Sequence, residues 1–223
     1  NGLMIAALAR AAPAFEDNNA LDHAQKAADF VLDELCSENG RLMRYYRSGK
    51  ADVRGFADDY VFMIWGLMEL YEARFQPRYL EIAVDLAHKL IDLFWNQDRD
   101  VFSLVGEDAE RPVVRPYEAQ DGALPSSNSV ALLILERLAL LADSSKFRDY
   151  SGQLRKGLAD QVTRYPAGYT HFMCGVDFAI GPRREVVIVG DPEAEATKQL
   201  FATAQMEFLP RTVLLLSPED KME

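Results

Sequence analysis

Two kinds of helix alternate along this chain, and the alternation restricts the fold more than any other feature. The segments Asn1 to Ala12, Tyr60 to Tyr71 and Ser129 to Leu141 are apolar on nearly every face. A helix of that kind is buried all round, whereas a helix with one apolar stripe lies at the surface. Striped helices fall between the apolar ones. The chain therefore reads as inner 1–12, outer 20–36, inner 58–74, outer 78–95, inner 126–142, outer 145–163 and inner 168–180. Consecutive antiparallel hairpins of this type stack side by side, each covering an apolar face of its neighbour.

The outer helices also repeat. At an offset of 59, Ala24 falls on Ala83, Ala28 on Ala87, Val31 on Leu90, Leu32 on Ile91, Asp33 on Asp92 and Leu35 on Phe94. The match continues to Leu42 on Val101, past the turns Ser37-Glu38-Asn39-Gly40 and Asn96-Gln97-Asp98-Arg99. Asp149 to Val162 fits the pattern more loosely. A repeat of about 60 residues built from one inner and one outer helix suits a closed ring of hairpins. The expected fold class is mainly α, a partial (α/α)6 toroid of helical hairpins. About three and a half of the six hairpins are present, spanning residues 1–182.

The connections carry a second pattern. Arg41 to Arg47 and Val53 to Phe56 are expected to form a hairpin around Ser48-Gly49-Lys50. A longer loop runs from Ser103 to Leu124, and loops of that length are functional or disordered. Both precede inner helices, which places both at the rim where those helices begin. From 183 to 223 the period changes. Glu185 to Val189 is a β-branched strand, Asp191-Pro192 a helix start, Glu193 to Phe208 a helix and Thr212 to Leu216 a second strand. This βαβ unit should be a right-handed parallel crossover docked on the helices or on further chain.

Composition narrows the function classes. Apolar residues are 49 % of the chain, enough for a sizeable core. With 35 acidic and 24 basic residues the formal charge is -11, and such a surface repels nucleic acid. No apolar run approaches the roughly 18 residues that span a bilayer. Cys36 and Cys174 form no paired-cysteine motif and read as small buried hydrophobes in a reducing, cytoplasmic setting. The chain opens as Asn1-Gly2-Leu3-Met4, already helical in pattern and without a basic leader, so it reads as cut from a longer protein.

The candidate chemistry lies at the starts of the inner helices. Asp58 and Asp59 open the second one, either as caps or as a carboxylate facing the funnel with its pKa raised by burial. Glu118, Asp121 and Asn128 crowd the run before the third, where a turn and an N-cap account for Gly122, Pro125 and a serine but not for all three. Glu118 or Asp121 with Asp58 or Asp59 would supply the two carboxyl groups that glycoside chemistry requires, and Asn128 is a candidate for binding substrate. His171 starts the last inner helix as a core histidine or a proton shuttle. Arg44, Tyr45 and Tyr46 on the rim hairpin, with Tyr60, are candidates for binding a sugar or an anion. Trp65 and Trp95 read as core, and His23 and His88 as outer-helix residues. No metal-ligand spacing, Walker motif or dinucleotide fingerprint occurs, so neither cofactor nor metal is expected.

Asn1 to Ala9, Ala57-Asp58-Asp59-Tyr60, Glu118 to Ser129 and Val187-Ile188-Val189-Gly190-Asp191-Pro192 resemble, in that order, the C-terminal part of the spermatogenesis-associated protein 20-like family. The resemblance implies an α/α toroid similar to six-hairpin glycosidases and N-acylglucosamine 2-epimerases, and an upstream thioredoxin-like domain as partner. It implies no particular reaction. Three functions follow as expectations: a carbohydrate-active site in the funnel, a 2-epimerase, or a non-catalytic scaffold beside the thioredoxin-like domain. An epimerase of this type uses inner-helix histidines, and only His171 qualifies.

Overall fold

The structure, a computed structural model, describes residues 1–37, 39–109 and 115–217. Glu38 of the first predicted turn, residues 110–114 of the long loop, and the chain after Ser217 lie outside the described residues.

The hairpins fold as the alternation predicts. Helix α1 (Gly2–Phe15) pairs with α2 (Asn18–Glu34), α3 (Ala57–Arg74) with α4 (Pro77–Phe94), and α5 (Ser127–Leu141) with α6 (Ser145–Arg164). Helix α7 (Thr170–Ile180) packs on α5, and α3 packs on both α1 and α5, so α1, α3, α5 and α7 form one inner row. The apolar-all-round segments supply that row: Tyr60, Val61, Ile64, Leu67, Met68 and Leu70 of α3 are fully buried. The outer helices bury one stripe each, such as Leu21, Ala24, Ala28 and Val31 on α2.

Local chemistry sets the helix ends. Asp17 accepts hydrogen bonds from the Asn19 and Ala20 N–H groups and starts α2, while Ser126 and Ser144 cap α5 and α6. The inner row is tight because glycine permits it. Gly2 lies against the Phe62–Met63 backbone, and a Cβ on Gly66 would sit 2.9 Å from the Gly2 carbonyl. These contacts, together with Arg10 at Glu69, run in the same order along both helices, so α1 and α3 are parallel.

The rim hairpin is shifted from its predicted span. It comprises β1 (Met43–Arg47) and β2 (Lys50–Arg54), paired antiparallel with Arg47 opposite Lys50. Its two-residue turn, Ser48-Gly49, has positive φ at both positions, the geometry that matches strand twist. Short β3 (Trp95–Asn96) and β4 (Val101–Phe102) form the equivalent piece after α4.

The βαβ unit is present: β5 (Arg184–Val189), α8 (Glu195–Gln205) and β6 (Thr212–Ser217), with the strands parallel. Helix α8 starts two residues later than predicted. The Asp191 carboxylate accepts from the Glu193 N–H and closes a turn instead of capping the helix. The unit packs on the inner row: Phe201 stacks on Phe75 at 3.7 Å, Gln205 donates to the Glu72 carbonyl at 2.6 Å, and Val213 and Leu214 are buried. No helix among the described residues is long and apolar enough to cross a membrane.

Candidate functional site

The inner faces of α1, α3, α5 and α7 border a cavity of about 720 Å3, walled on another side by residues 204–210 and β6. Apolar inner helices would be expected to present only hydrocarbon there. They carry instead Arg10 on α1, Trp65, Glu69 and Glu72 on α3, Arg137 on α5 and His171 on α7, all on the cavity lining.

These groups are tied together. Arg137, 6 % exposed, donates from Nη1 to Glu69 Oε1 at 2.5 Å and lies 2.9 Å from Glu72 Oε1 through Nη2. Trp65 Nε1 donates to Glu69 Oε1 at 3.0 Å, and Arg10 stands 3.5 Å from the same oxygen. Two carboxylates thus share one buried guanidinium. Burial alone would raise the Glu69 pKa, but Arg137, Arg10 and the two hydrogen bonds outweigh it and hold Glu69 below the usual carboxylate range. Burial dominates at Glu72, reinforced by the charge on Glu69, and pushes its pKa up despite Arg137. The paired carboxylates outweigh the burial of Arg137 and keep it charged. Charge counting agrees: one buried cation, with Arg10 half in solvent, does not neutralise two buried anions, so the pair retains a proton to higher pH, at Glu72.

His171 completes the polar wall. Its ring lies 5.1 Å from that of Trp65, its Nε2 is buried with no hydrogen-bond partner among the described residues, and burial lowers its pKa. A neutral imidazole and a proton-retaining carboxyl on one cavity wall can accept and donate protons.

The other predicted site residues are placed elsewhere. Asp59 accepts from the Phe56 N–H at 2.8 Å and from Arg44 at 2.9 Å, and Asp58 also meets Arg44 at 3.3 Å, so both serve the start of α3. Burial nonetheless raises the Asp59 pKa beyond what Phe56 and Arg44 offset. Asp121 accepts from the Ser126 N–H at 2.9 Å and the His171 N–H at 2.8 Å, tying the starts of α5 and α7 together. Glu118 is exposed, and its carbonyl accepts from Asn128. Asn128 is fully buried and spends its amide on the Phe102 N–H, the Phe102 carbonyl and the Glu118 carbonyl. Tyr60 is fully buried, with its hydroxyl bonded to the Leu42 N–H and Arg41. A ligand cannot reach either of those two. Arg44 stacks on Phe56 at 4.4 Å, and Tyr45 is exposed on β1. Of the nine predicted site residues only His171 lines the cavity.

Two further expectations are corrected. Trp65 faces the cavity, whereas Trp95 is core as expected. Cys174 is exposed on α7 and lines the cavity instead of filling the core. The residues that sequence reasoning missed carried a legible signal, because Glu69, Glu72 and Arg137 interrupt otherwise apolar inner helices. A charge in such a helix needs a buried partner or a cavity, and here it has both. No group of three potential ligands able to hold a metal occurs among the described residues.

No family model matches the chain. It is 31 % identical over 219 residues to an uncharacterised Caenorhabditis elegans protein, covering 93 % of this chain and 29 % of that one. It is 28 % identical over 230 residues to human spermatogenesis-associated protein 20, covering 99 % and 29 %. The chain thus spans less than a third of the length of these relatives. Among solved structures it is similar to cellobiose 2-epimerase from Bacillus thermoamylovorans, with a TM-score of 0.57 and 13 % identity over 70 % of this chain and 42 % of that one. It is also similar to unsaturated glucuronyl hydrolase from Bacillus sp. GL1, with a TM-score of 0.55 and 14 % identity over 92 % and 59 %. At these identities the likeness is one of fold, the six-hairpin toroid.

Proposed function

Because this chain is homologous over nearly its whole length to a segment of the spermatogenesis-associated protein 20-like family, and its fold is that of six-hairpin toroids, we propose that its cavity takes a carbohydrate-type ligand. One observation carries the reading: an aromatic face, Trp65, fixed beside a buried carboxylate–guanidinium–carboxylate cluster on the wall of an open cavity. Sugar rings stack their C–H faces on indole and hydrogen-bond their hydroxyls to carboxylates and guanidinium groups. Clefts of roughly 300–1,000 Å3 with a few convergent polar groups are the usual small-molecule sites. Within this reading Glu72 and His171 handle protons, while Asp58, Asp59, Glu118, Asp121, Arg44 and Tyr45 shape the rim. The upstream thioredoxin-like domain and a cytoplasmic setting remain parts of the same proposal.

A panel of neutral mono- and disaccharides, scored by thermal shift, tests it. We expect at least one ligand to raise Tm, the shift to vanish in Trp65→Ala, and Asp58→Asn to keep it. A shift that survives Trp65→Ala unchanged contradicts the cavity as the site. The scaffold reading draws support from one fact, that the rim aspartates are spent on helix starts. It gains if no sugar in the panel shifts Tm.

A further inference from the structure

The cavity has two chemically distinct halves. The floor is polar, built from Glu69, Glu72 and Arg137, whereas the mouth carries large apolar side chains standing beside Asp177 and Glu207. Met206 is 76 % exposed, Phe208 78 % and Met173 40 %, and all three line the same cavity as the floor. Exposed side chains of this size contiguous with a polar pocket mark a binding surface rather than scattered surface residues. Methionine adapts to ligands of varied shape, and Arg10, 5.8 Å over the Phe208 ring, ties that ring to the cluster below. The volume also exceeds what one sugar ring fills. At about 720 Å3 the cavity lies in the range of drug-sized ligands.

Building on the carbohydrate reading, we infer that the ligand is amphipathic: a sugar bearing an apolar aglycone, the sugar on the Trp65–Glu69–Arg137 floor and the aglycone on Met173, Met206 and Phe208. A polar floor by itself selects any polyol, and an apolar mouth by itself selects any hydrocarbon. Their continuity in one cavity selects a molecule carrying both. The residues 206–210 that form the mouth belong to the segment joining α8 to β6, which assigns the βαβ unit a part in recognition.

The test compares a free sugar with its hexyl and phenyl glycosides by calorimetry on this chain, in wild type and in Phe208→Ser/Met206→Ser. The hexyl glycoside is expected to bind at least about tenfold more tightly than the free sugar, since burying a few methylenes supplies that much. The gain should disappear in the double variant while the affinity for free sugar stays within about twofold. Both substitutions sit on exposed side chains, so folding is spared, and an unchanged circular dichroism spectrum and Tm check this. Equal affinity for sugar and glycosides, or a gain that survives the double variant, overturns the amphipathic ligand and leaves the carbohydrate reading standing. Failure of every sugar and glycoside to bind overturns both. Self-association of wild type that the double variant abolishes, with no ligand effect, would assign the patch to a second copy of this chain.

Discussion

Asp121 serves the architecture of two helix starts at once. Its two oxygens accept from the Ser126 and His171 N–H groups, so Asp121→Ala removes a cap shared by two helix starts. We expect a loss of about 1–2 kcal/mol in urea unfolding; an unchanged midpoint would contradict the assignment. The carboxylates of α3 give a sharper contrast. Glu69→Gln leaves buried Arg137 short of an anion and should cost about 3–5 kcal/mol. The Glu72 pKa is raised in the fold, so its contribution to stability is present below the unfolded value and lost as pH rises through the folded one. Glu72→Gln removes a carboxyl group whose burial disfavours its charge, and should cost less stability than Glu69→Gln. The reverse order of the two variants would show the charge to sit on Glu72. His171 has the opposite sign. Its pKa is lowered, so the unfolded chain takes up a proton that the folded one refuses as pH falls through about 6.5. Stability should drop on that acid side, and His171→Phe should flatten the difference between urea midpoints at pH 7.5 and 5.5.

At the scale of elements, the hairpins were legible because their apolar pattern has the helical period and their inner and outer members differ in how many faces are apolar. Strand and helix ends were less legible. Lys50 pairs with Arg47 across a Ser48-Gly49 turn, and Asp191 closes a turn ahead of α8; both are settled by local hydrogen bonding that hydrophobic periodicity does not encode. The closeness of α1 and α3 was equally hidden in Gly2 and Gly66. Gly66→Ala would place a methyl 2.9 Å from the Gly2 carbonyl and 3.1 Å from Ile5 Cγ2, and backbone cannot yield cheaply. We expect about 1–3 kcal/mol of destabilisation in thermal or urea unfolding; full stability would mean that the two helices separate freely. The candidate site was legible only in part, through His171. Acidic residues at helix starts look available in sequence, yet helix N-termini are where such groups are consumed. The charged residues inside apolar helices, Glu69, Glu72 and Arg137, were the more informative signal.

At the scale of the molecule, four inner helices and a βαβ unit surround one side of a cavity, and the two halves of its lining differ in polarity. The -11 formal charge surrounds a site whose own cations, Arg10 and Arg137, are already engaged by Glu69 and Glu72, which favours neutral ligands over acidic ones. The chain has two tryptophans, and they divide cleanly: Trp65 on the cavity wall with its indole N–H on Glu69, Trp95 in the core against Phe102 and Tyr150. Their two indole N–H signals in a 15N–1H NMR spectrum therefore report directly on where a ligand sits. Titration with a sugar identified by thermal shift should move one signal, the one missing from Trp65→Phe, and leave the other in place. Movement of the Trp95 signal alone, or of neither at saturation, would contradict a ligand site on the inner face of the ring.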